Sequence, residues 1–229
     1  MRDTDRDRRT HLLVRADGGP LGFVTLDVTD GTVDADRLRA AAAALPPPSP
    51  PPVLPSPAPA ITVVICTRDR VSMLQAALDS VRAVDYPDVE IIVVDDGSTD
   101  DTADTVARLG LANVRVLRQP NGGKPAALNA GVAACHHDIV VMLDGDTVFE
   151  PSTVGNLVAR FNDPRVGAVA GNARVADRGS LLARWQNIEY VVGFNIDRRV
   201  QGTGHVMTTV PGAVGAFRRS ALLEVGDRR

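Results

Sequence analysis

"VEIIVVDDGSTDDTADTVARLG", residues 89–110, joins one strand to one helix and decides the fold class. Its first eight residues form an apolar run that ends in two aspartates, which is typical of a buried strand. From Ser98 the sequence continues with an acidic first turn and helical spacing, and Gly110 marks the expected end of the helix. Strand–helix units repeated in this way build a parallel sheet.

The same alternation continues on both sides of this unit. Upstream, residues 61–67 (ITVVICT) predict a strand buried on both faces, and residues 72–84 predict a helix capped by Ser72. Downstream, two further units follow: NVRVLRQ with KPAALNAGVAAC, and DIVVML with PSTVGNLVARF. Four successive units predict an α/β fold, with a mostly parallel sheet that helices cover on both faces.

The first 60 residues have a different character. Nine of the 16 prolines lie between Pro46 and Pro59, so we expect residues 46–60 to form an extended linker. Residues 1–45 predict a small ββα appendage, with a turn at residues 17–19 and a helix begun by Asp34 or Asp36. The α/β domain then covers residues 61–229.

Composition narrows the classes of function. The formal net charge of −3 is spread along the chain, which argues against a nucleic-acid surface. The N-terminus does not read as a signal peptide, and no apolar run reaches the ~20 residues of a membrane span. Cys66 and Cys135 sit in apolar settings that suit inert core thiols. We therefore expect a reducing, cytoplasmic compartment.

A carboxylate pair follows the fourth strand of the domain. Asp144 and Asp146 flank a residue without a side chain, so both can converge on one point beyond the strand. Such a pair requires a cation or a fixed set of donors, and hard divalent cations prefer carboxylate oxygen. Residues 122–124 (GGK) add backbone amides and an ammonium at a helix start, which suits phosphate. For each loop taken alone, helix capping and turn formation remain alternatives.

In their order and spacing, VVICTRDR, VVDDGSTDDT, NGGKPAALNAG and VMLDGDTVFEP resemble glycosyltransferase family 2, which has the GT-A nucleotide-sugar fold. The resemblance covers residues 61 to about 226. It implies that Asp144 and Asp146 form the Asp-x-Asp element that meets the ribose, the diphosphate and Mn²⁺ or Mg²⁺. The implied nucleotide-binding residues are Thr67 and Arg68 beside the base, Asp95 and Asp96 in a uridine pocket, Lys124 near the nucleotide, and Asp144.

Residues 169–222 are similar to the processive, membrane-associated branch that makes hyaluronan, chitin-like chains and poly-N-acetylglucosamine. By position, this similarity implies acceptor-side roles for Asn172, Trp185, Gln186, Glu189, Arg218 and Arg219. Two alternatives stay open. Trp185, Ile188 and Val192 have the spacing of a core-facing helix, and the two arginines fit a solvated strand end.

Two elements of that branch do not occur in the sequence. The aspartate base that deprotonates the acceptor is expected beyond Arg229, so no catalytic base is assigned, and the transmembrane helices of the branch are missing as well. Membrane association is therefore expected only through segments outside this chain. The expected reaction is inverting, metal-dependent transfer of a hexosyl unit from a UDP-sugar to a saccharide or lipid-linked acceptor. The alternatives are an incomplete nucleotide-sugar-binding fragment and a haloacid dehalogenase-type phosphatase, whose Asp-x-Asp motif "DGDTV" also fits.

Overall fold

The computed structural model of the protein describes residues 8–16, 19–46, 53–176, 179–190, 209–210 and 212–226. The chain separates into two compact units, residues 1–51 and 52–229. In the described part, no helix is long and apolar enough to cross a membrane.

The N-terminal unit contains the predicted two strands and helix. Strand β1 (Arg8–Ala16) pairs antiparallel with β2 (Gly19–Val28), and helix α1 (Ala35–Ala43) follows. The Asp34 side chain accepts hydrogen bonds from the backbone N–H of Asp36 at 2.8 Å and of Arg37 at 3.0 Å. Asp34, rather than Asp36, is therefore the residue that begins the helix. The predicted turn at residues 17–19 lies mostly outside the described residues.

The second unit is built on a six-stranded sheet, ordered β5-β4-β3-β6-β8-β7. The first four strands in this order run parallel, whereas β8 pairs antiparallel with both β6 and β7. The predicted mostly parallel sheet is confirmed. The strands are β3 (Ile61–Thr67), β4 (Val89–Asp96), β5 (Val114–Gln119), β6 (Ile139–Asp144), β7 (Ala168–Ala170) and β8 (Val214–Arg218).

Helices connect the strands as the sequence predicts, with corrections at two helix starts, one of which is that the helix after β4 begins at Thr102 rather than at Ser98. The helices are α2 (Val71–Arg82), α3 (Thr102–Arg108), α4 (Lys124–Ala134), α5 (Thr153–Val158), which continues as a 3₁₀ turn (Ala159–Asn162), α6 (Leu181–Tyr190) and α7 (Arg219–Gly226). The prediction that Ser72 caps α2 is wrong, because the helix begins one residue earlier and Arg70 occupies the cap position without a side-chain hydrogen bond.

Two hydrophobic clusters lie on the two faces of the sheet, so helices cover both faces, as predicted. Strand β3 contributes Ile61, Val63 and Ile65 to one cluster and Val64 to the other, and all four side chains are fully buried. Helix α4 packs closely on the second face, since a Cβ added at Gly131 would lie 2.4 Å from a Val64 methyl carbon. A glycine is needed there for the helix to approach the sheet.

Both cysteines are free thiols. Cys135 is buried, and burial raises its pKa to about 11. Cys66 is half-buried at the end of β3, where burial raises the pKa of its thiol to about 12. Both groups are therefore protonated and poorly nucleophilic at neutral pH.

Candidate functional site

Loops at the carboxyl ends of the parallel strands enclose an open cavity of about 370 Å³. In α/β sheets this edge is where ligands bind. The cavity brings together six of the seven residues that the sequence predicts for the nucleotide and the cation, namely Thr67, Arg68, Asp96, Lys124, Asp144 and Asp146. It is also lined by Cys66, Arg70, Asn121, Gly123, Ala127 and Gly145.

Both carboxylates of the Asp-x-Asp pair contact a basic side chain of the protein. The ammonium nitrogen of Lys124 lies 2.6 Å from Oδ1 of Asp144. The guanidinium of Arg70 donates to Oδ2 of Asp146. The cavity therefore places two positive and two negative side chains side by side, an arrangement that can accept an anionic ligand and a cation together.

Gly145 sets the spacing between the two carboxylates. A Cβ added there would lie 3.1 Å from the Thr67 hydroxyl oxygen and 3.3 Å from the Cys66 carbonyl oxygen, so the backbone of β6 runs close against the end of β3. Thr67 is only 5% exposed, and its hydroxyl has no hydrogen-bond partner among the described residues. An unpaired buried hydroxyl is uncommon in a folded protein, and this one lies in the wall behind the cavity rather than open to it.

Asp96 fixes the start of α4. One of its oxygens accepts hydrogen bonds from the side-chain amide of Gln119 at 2.7 Å and from the N–H of Gly122 at 2.9 Å, and the other accepts from the N–H of Gly123 at 2.8 Å. The Gly122 hydrogen bond, supported by those of Gln119 and Gly123, holds the pKa of Asp96 below its usual range. Asp96 therefore stays ionised and orients the loop that carries Lys124, with one carboxylate lone pair left for a ligand.

Asp95 has a different position from its neighbour. It is buried, it does not line the cavity, and its Oδ1 accepts the N–H of Ser98 at 3.0 Å. This contact shapes the turn after β4. Of the two aspartates predicted for a uridine pocket, only Asp96 reaches the cavity.

A larger groove of about 1170 Å³ adjoins the first cavity and shares Asp144 and Asp146 with it. Two of the predicted acceptor-side residues, Asn172 and Gln186, line this groove, whereas Trp185 and Glu189 do not. Glu150 contributes a further carboxylate to the groove. The two cavities therefore meet at the carboxylate pair.

Helix α6 exposes its large apolar side chains in the described structure. Trp185 is 67% exposed and Ile188 is 58% exposed. The alternative that this spacing marks a core-facing helix is therefore not supported by these two residues, and Val192 lies outside the described residues. Gln186 and Glu189 are exposed on the same helix.

Arg218 and Arg219 lie at the opposite edge of the sheet from the carboxylate pair. Arg218 pairs with Ile139, the first residue of β6, whereas Asp144 is the last, roughly 16 Å along the strand. The Arg218 guanidinium donates to the carbonyls of Phe161 at 2.8 Å, Val166 at 2.8 Å and Asp163 at 3.2 Å. This position does not favour the acceptor-side role of the two arginines, which stays a prediction, and the three carbonyl contacts show that Arg218 is not a solvated strand end.

Sequence reasoning did not assign four residues of the first cavity, namely Cys66, Arg70, Asn121 and Ala127, although all four lie in the motifs that carry the family resemblance. Nothing in the sequence position of Arg70, two residues after the predicted Arg68, indicates that its side chain lines the cavity. Its role depends on a contact with a residue 76 positions away.

The residues present fit a divalent cation only together with a ligand. Among the described residues, no group of three or more histidine, cysteine or acidic side chains stands close enough to hold a metal ion. Asp144 and Asp146 each keep one oxygen that makes no hydrogen bond in the described part of the chain. Mg²⁺ and similar ions are commonly held by one or two carboxylates plus substrate phosphates. The carboxylate pair meets that description.

Comparison with known proteins agrees with this geometry. The family model of glycosyl transferase family 2 matches residues 62–226. The poly-β-1,6-N-acetyl-D-glucosamine synthases of Staphylococcus aureus and Staphylococcus epidermidis are each 32% identical over 169 residues, which make up 72% of this chain and 41% of those proteins. The chain thus spans less than half the length of these relatives.

Solved structures show the same architecture. A mannosyltransferase from Pyrobaculum calidifontis, in complex with GDP-Man and Mn²⁺, is 27% identical with a TM-score of 0.63, over 78% of this chain and 50% of that one. A Staphylococcus aureus TarS structure is 20% identical with a TM-score of 0.54, over 73% of this chain and 47% of that one. These neighbours have the GT-A fold. The family match covers the sheet and its loops, which excludes the phosphatase alternative, and the chain belongs to glycosyl transferase family 2.

Proposed function

We propose that this chain binds the nucleotide-sugar donor of a hexosyl transfer, with the nucleotide in the 370 Å³ cavity and the acceptor in the adjoining groove. The observation that carries this proposal is the carboxylate pair, at which the two cavities meet. The basic side chains of Lys124 and Arg70 contact this pair and lie where an anionic ligand would bind. The names of the relatives support a saccharide product, and we propose polysaccharide synthesis as its context.

The donor is proposed to be a UDP-sugar. The remaining lone pair of Asp96 offers a hydrogen-bond acceptor at the cavity wall, and a base that fits it is favoured over one that leaves a buried polar group unpaired. The resemblance to family 2 supports uracil as that base. The GDP-Man complex of the Pyrobaculum calidifontis enzyme makes guanine the competitor to test.

Asp144 and Asp146 would hold a Mn²⁺ or Mg²⁺ ion together with the diphosphate. Such an ion would offset the negative charge that develops on the diphosphate as the sugar leaves. Lys124 supplies an ammonium at the start of α4, where the N–H groups of Gly122 and Gly123 already donate to Asp96. The attraction that α4 offers the departing nucleotide is therefore chiefly the charge of Lys124.

Inverting transfer also requires a base on the acceptor side, which deprotonates the attacking hydroxyl. Among the described residues that line the groove, Glu150 is the only carboxylate besides the pair itself. Glu150 is therefore better placed than Glu189 to assist any transfer that this chain performs alone. The second candidate function is donor binding without efficient transfer, which the placement of Glu189 outside the groove favours.

The decisive experiment is a thermal-shift panel with UDP, GDP and ADP, each with Mn²⁺, with Mg²⁺ and with EDTA. We expect UDP with Mn²⁺ to stabilise the protein most. Saturation a hundredfold above Kd contributes about 2.7 kcal/mol to the free energy of unfolding. Asp146→Ala should remove the difference between Mn²⁺ and EDTA without lowering the melting temperature of the free protein. Equal stabilisation by all three nucleotides, or by none, would contradict the proposal.

A further inference from the structure

The ion pair between Arg70 and Asp146 occupies one of the two carboxylates proposed for the cation. Arg70 is the last residue before α2, and Asp146 follows β6, so the contact joins two loops that are far apart in sequence. Both side chains line the cavity proposed for the diphosphate. In this structure, the protein supplies its own positive charge to Asp146.

This ion pair is easily exchanged. The Arg70 side chain is 49% exposed and the Asp146 side chain is 42% exposed. Ion pairs between exposed side chains contribute little to stability, because solvent screens them and two flexible side chains must be held in one geometry. Breaking the pair therefore costs little free energy once a stronger partner binds either Arg70 or Asp146.

Lys124 is less free to change its partner. The Asp144 side chain is only 29% exposed, and a Cβ added at Gly212 would lie 3.2 Å from the Lys124 ammonium nitrogen. Gly212, which has no side chain, therefore leaves room for the Lys124 ammonium beside Asp144. Lys124 is itself 48% exposed, so the difference between the two ion pairs lies in the lower exposure of Asp144. Of the two basic residues, Arg70 has the more accessible ion pair.

We propose that Arg70 is a positioning residue that neutralises Asp146 in the free protein and transfers its guanidinium to the diphosphate of the donor when the cation takes Asp146. This inference rests on the proposed function. A guanidinium matches phosphate oxygens in a bidentate manner, so the diphosphate offers it a better partner than one carboxylate oxygen. Cation and nucleotide then favour each other, because the cation releases Arg70 to the diphosphate and the diphosphate, by binding Arg70, releases Asp146 to the cation.

The test measures three affinities for each variant. Mn²⁺ alone is titrated by the electron paramagnetic resonance signal of the free ion, UDP alone by calorimetry in EDTA, and Mn²⁺ again in the presence of saturating UDP. The ratio of the two Mn²⁺ dissociation constants is the coupling factor. The variants are Arg70→Gln and Arg70→Lys. Arg82→Gln is the matched control, because Arg82 belongs to the same helix and pairs with Asp79 outside the site.

In the unaltered protein, we expect UDP to tighten Mn²⁺ binding by a factor within the usual range for coupled sites, about 5 to 150. Arg70→Gln should tighten the binding of Mn²⁺ alone by about two- to fivefold, weaken the binding of UDP in EDTA, and lower the coupling factor. Arg70→Lys should restore part of the coupling, and Arg82→Gln should change nothing. A purely structural role for Arg70 would not tighten Mn²⁺ binding.

Arg68→Gln tests whether Mn²⁺ binding responds to the Arg70–Asp146 ion pair itself or to the loss of any positive charge in the cavity. Arg68 lines the same cavity and does not contact Asp146. If Arg68→Gln tightens Mn²⁺ binding as much as Arg70→Gln, or if Arg70→Gln leaves both Mn²⁺ affinity and coupling unchanged, the inference is overturned. In either case the unaltered protein still binds UDP with Mn²⁺. Failure of the proposed function is distinct, because then the unaltered protein binds no nucleotide under any condition.

Discussion

Asp69 accepts two hydrogen bonds from Thr99, one from the backbone N–H at 2.7 Å and one from the hydroxyl at 3.1 Å. A third hydrogen bond runs from the N–H of Asp69 to the Ser98 hydroxyl at 3.0 Å. These contacts connect the loop after β3 to the loop after β4. The first loop carries Arg68 and Arg70, so this connection orients both arginines relative to the carboxylates.

We expect Asp69→Ala to weaken UDP binding by about two- to tenfold, the effect of one or two net hydrogen bonds in the loop that bears the arginines. Calorimetry in the presence of Mn²⁺ measures the change. Asp69→Asn keeps a side-chain oxygen that can accept from Thr99, so its affinity should lie closer to that of the unaltered protein. Equal losses in the two variants would show that charge, rather than the loop connection, is responsible.

The stability of the protein should depend on pH through Asp96 and Asp69. Hydrogen bonds from Gly122 and from Thr99 lower the pKa of these two groups, respectively. A carboxyl group with a lowered pKa in the folded state stabilises that state fully above its unfolded value of about 3.9, and the contribution is lost as pH falls through the folded value. The stabilising contribution should therefore begin to fall below about pH 4 and disappear only below the folded-state pKa of each group.

The measurement compares melting temperatures of the unaltered protein and Asp96→Asn from pH 7 to pH 3. We expect the unaltered protein to be the more stable at neutral pH and the difference to shrink below about pH 4, because protonation gives Asp96 the charge of the variant. A difference that stays constant down to pH 3 would argue against the hydrogen bonds as the source of the shift.

Gly145→Ala should disturb the carboxylate pair directly. The added methyl group would press on the Thr67 side chain and on the Cys66 carbonyl, and overpacking of this kind typically costs about 1–3 kcal/mol. Gly145 joins Asp144 to Asp146, so its displacement should move the two carboxylates. The affinity for UDP in the presence of Mn²⁺ should therefore fall more than the affinity for UDP in EDTA.

Gly155→Ala provides the matched control for that variant. Gly155 lies within α5, and a Cβ added there meets no atom within 4 Å. Alanine favours a helix interior over glycine by about 0.5–1 kcal/mol, so this variant should be slightly more stable and should bind UDP normally. A loss of Mn²⁺-dependent binding in both variants would contradict the role assigned to Gly145.

Arg218→Ala should lower stability without affecting the nucleotide. The side chain donates to the carbonyls of Phe161, Asp163 and Val166, and its guanidinium lies 5.3 Å from the centroid of the Phe161 ring. Its loss should cost about 1–3 kcal/mol, while UDP affinity stays unchanged. Arg165→Ala is the control, since its side chain is 86% exposed and such changes stay within about 0.5 kcal/mol. Weaker UDP binding by Arg218→Ala would restore a role at the site.

The sheet could be predicted because its strands carry their own signal. Strands β3, β4 and β6 are continuous apolar runs, and each is followed by polar residues and a helical period. The same reasoning placed Asp96, Lys124 and Asp144 at one edge, since the carboxyl ends of parallel strands meet there. The cavity that contains them follows from the strand order alone.

The partners within the site could not be predicted in the same way. Arg70 and Asp146 are 76 residues apart, and Lys124 and Asp144 are 20 apart, so their contacts depend on loop conformations that no local pattern encodes. The predicted cap of α2 was wrong for a related reason. Ser72 is a better cap by propensity, yet the loop places Arg70 at that position, where its side chain reaches Asp146 instead.

The direction of β8 was also beyond sequence reasoning. The residues of this strand predict extended structure, but nothing in them says whether the strand runs with β6 or against it. Because it runs against β6, the two arginines at its end lie at the amino ends of the parallel strands. A parallel strand would have brought them to the edge that carries the carboxylates.

Strands β6 and β8 are neighbours in the sheet, yet the chain makes a long excursion after Asp144, which includes the edge strand β7, before it reaches Val214. Among the described residues, all that line the smaller cavity precede this excursion apart from Asp146 and the adjoining Gly145, whereas the groove is lined largely by residues within it. The excursion is therefore an insertion between two adjacent strands. Substitutions at its groove-lining positions can change what enters the groove, while its buried residues, such as Val154 and Phe161, belong to the core and have to be kept.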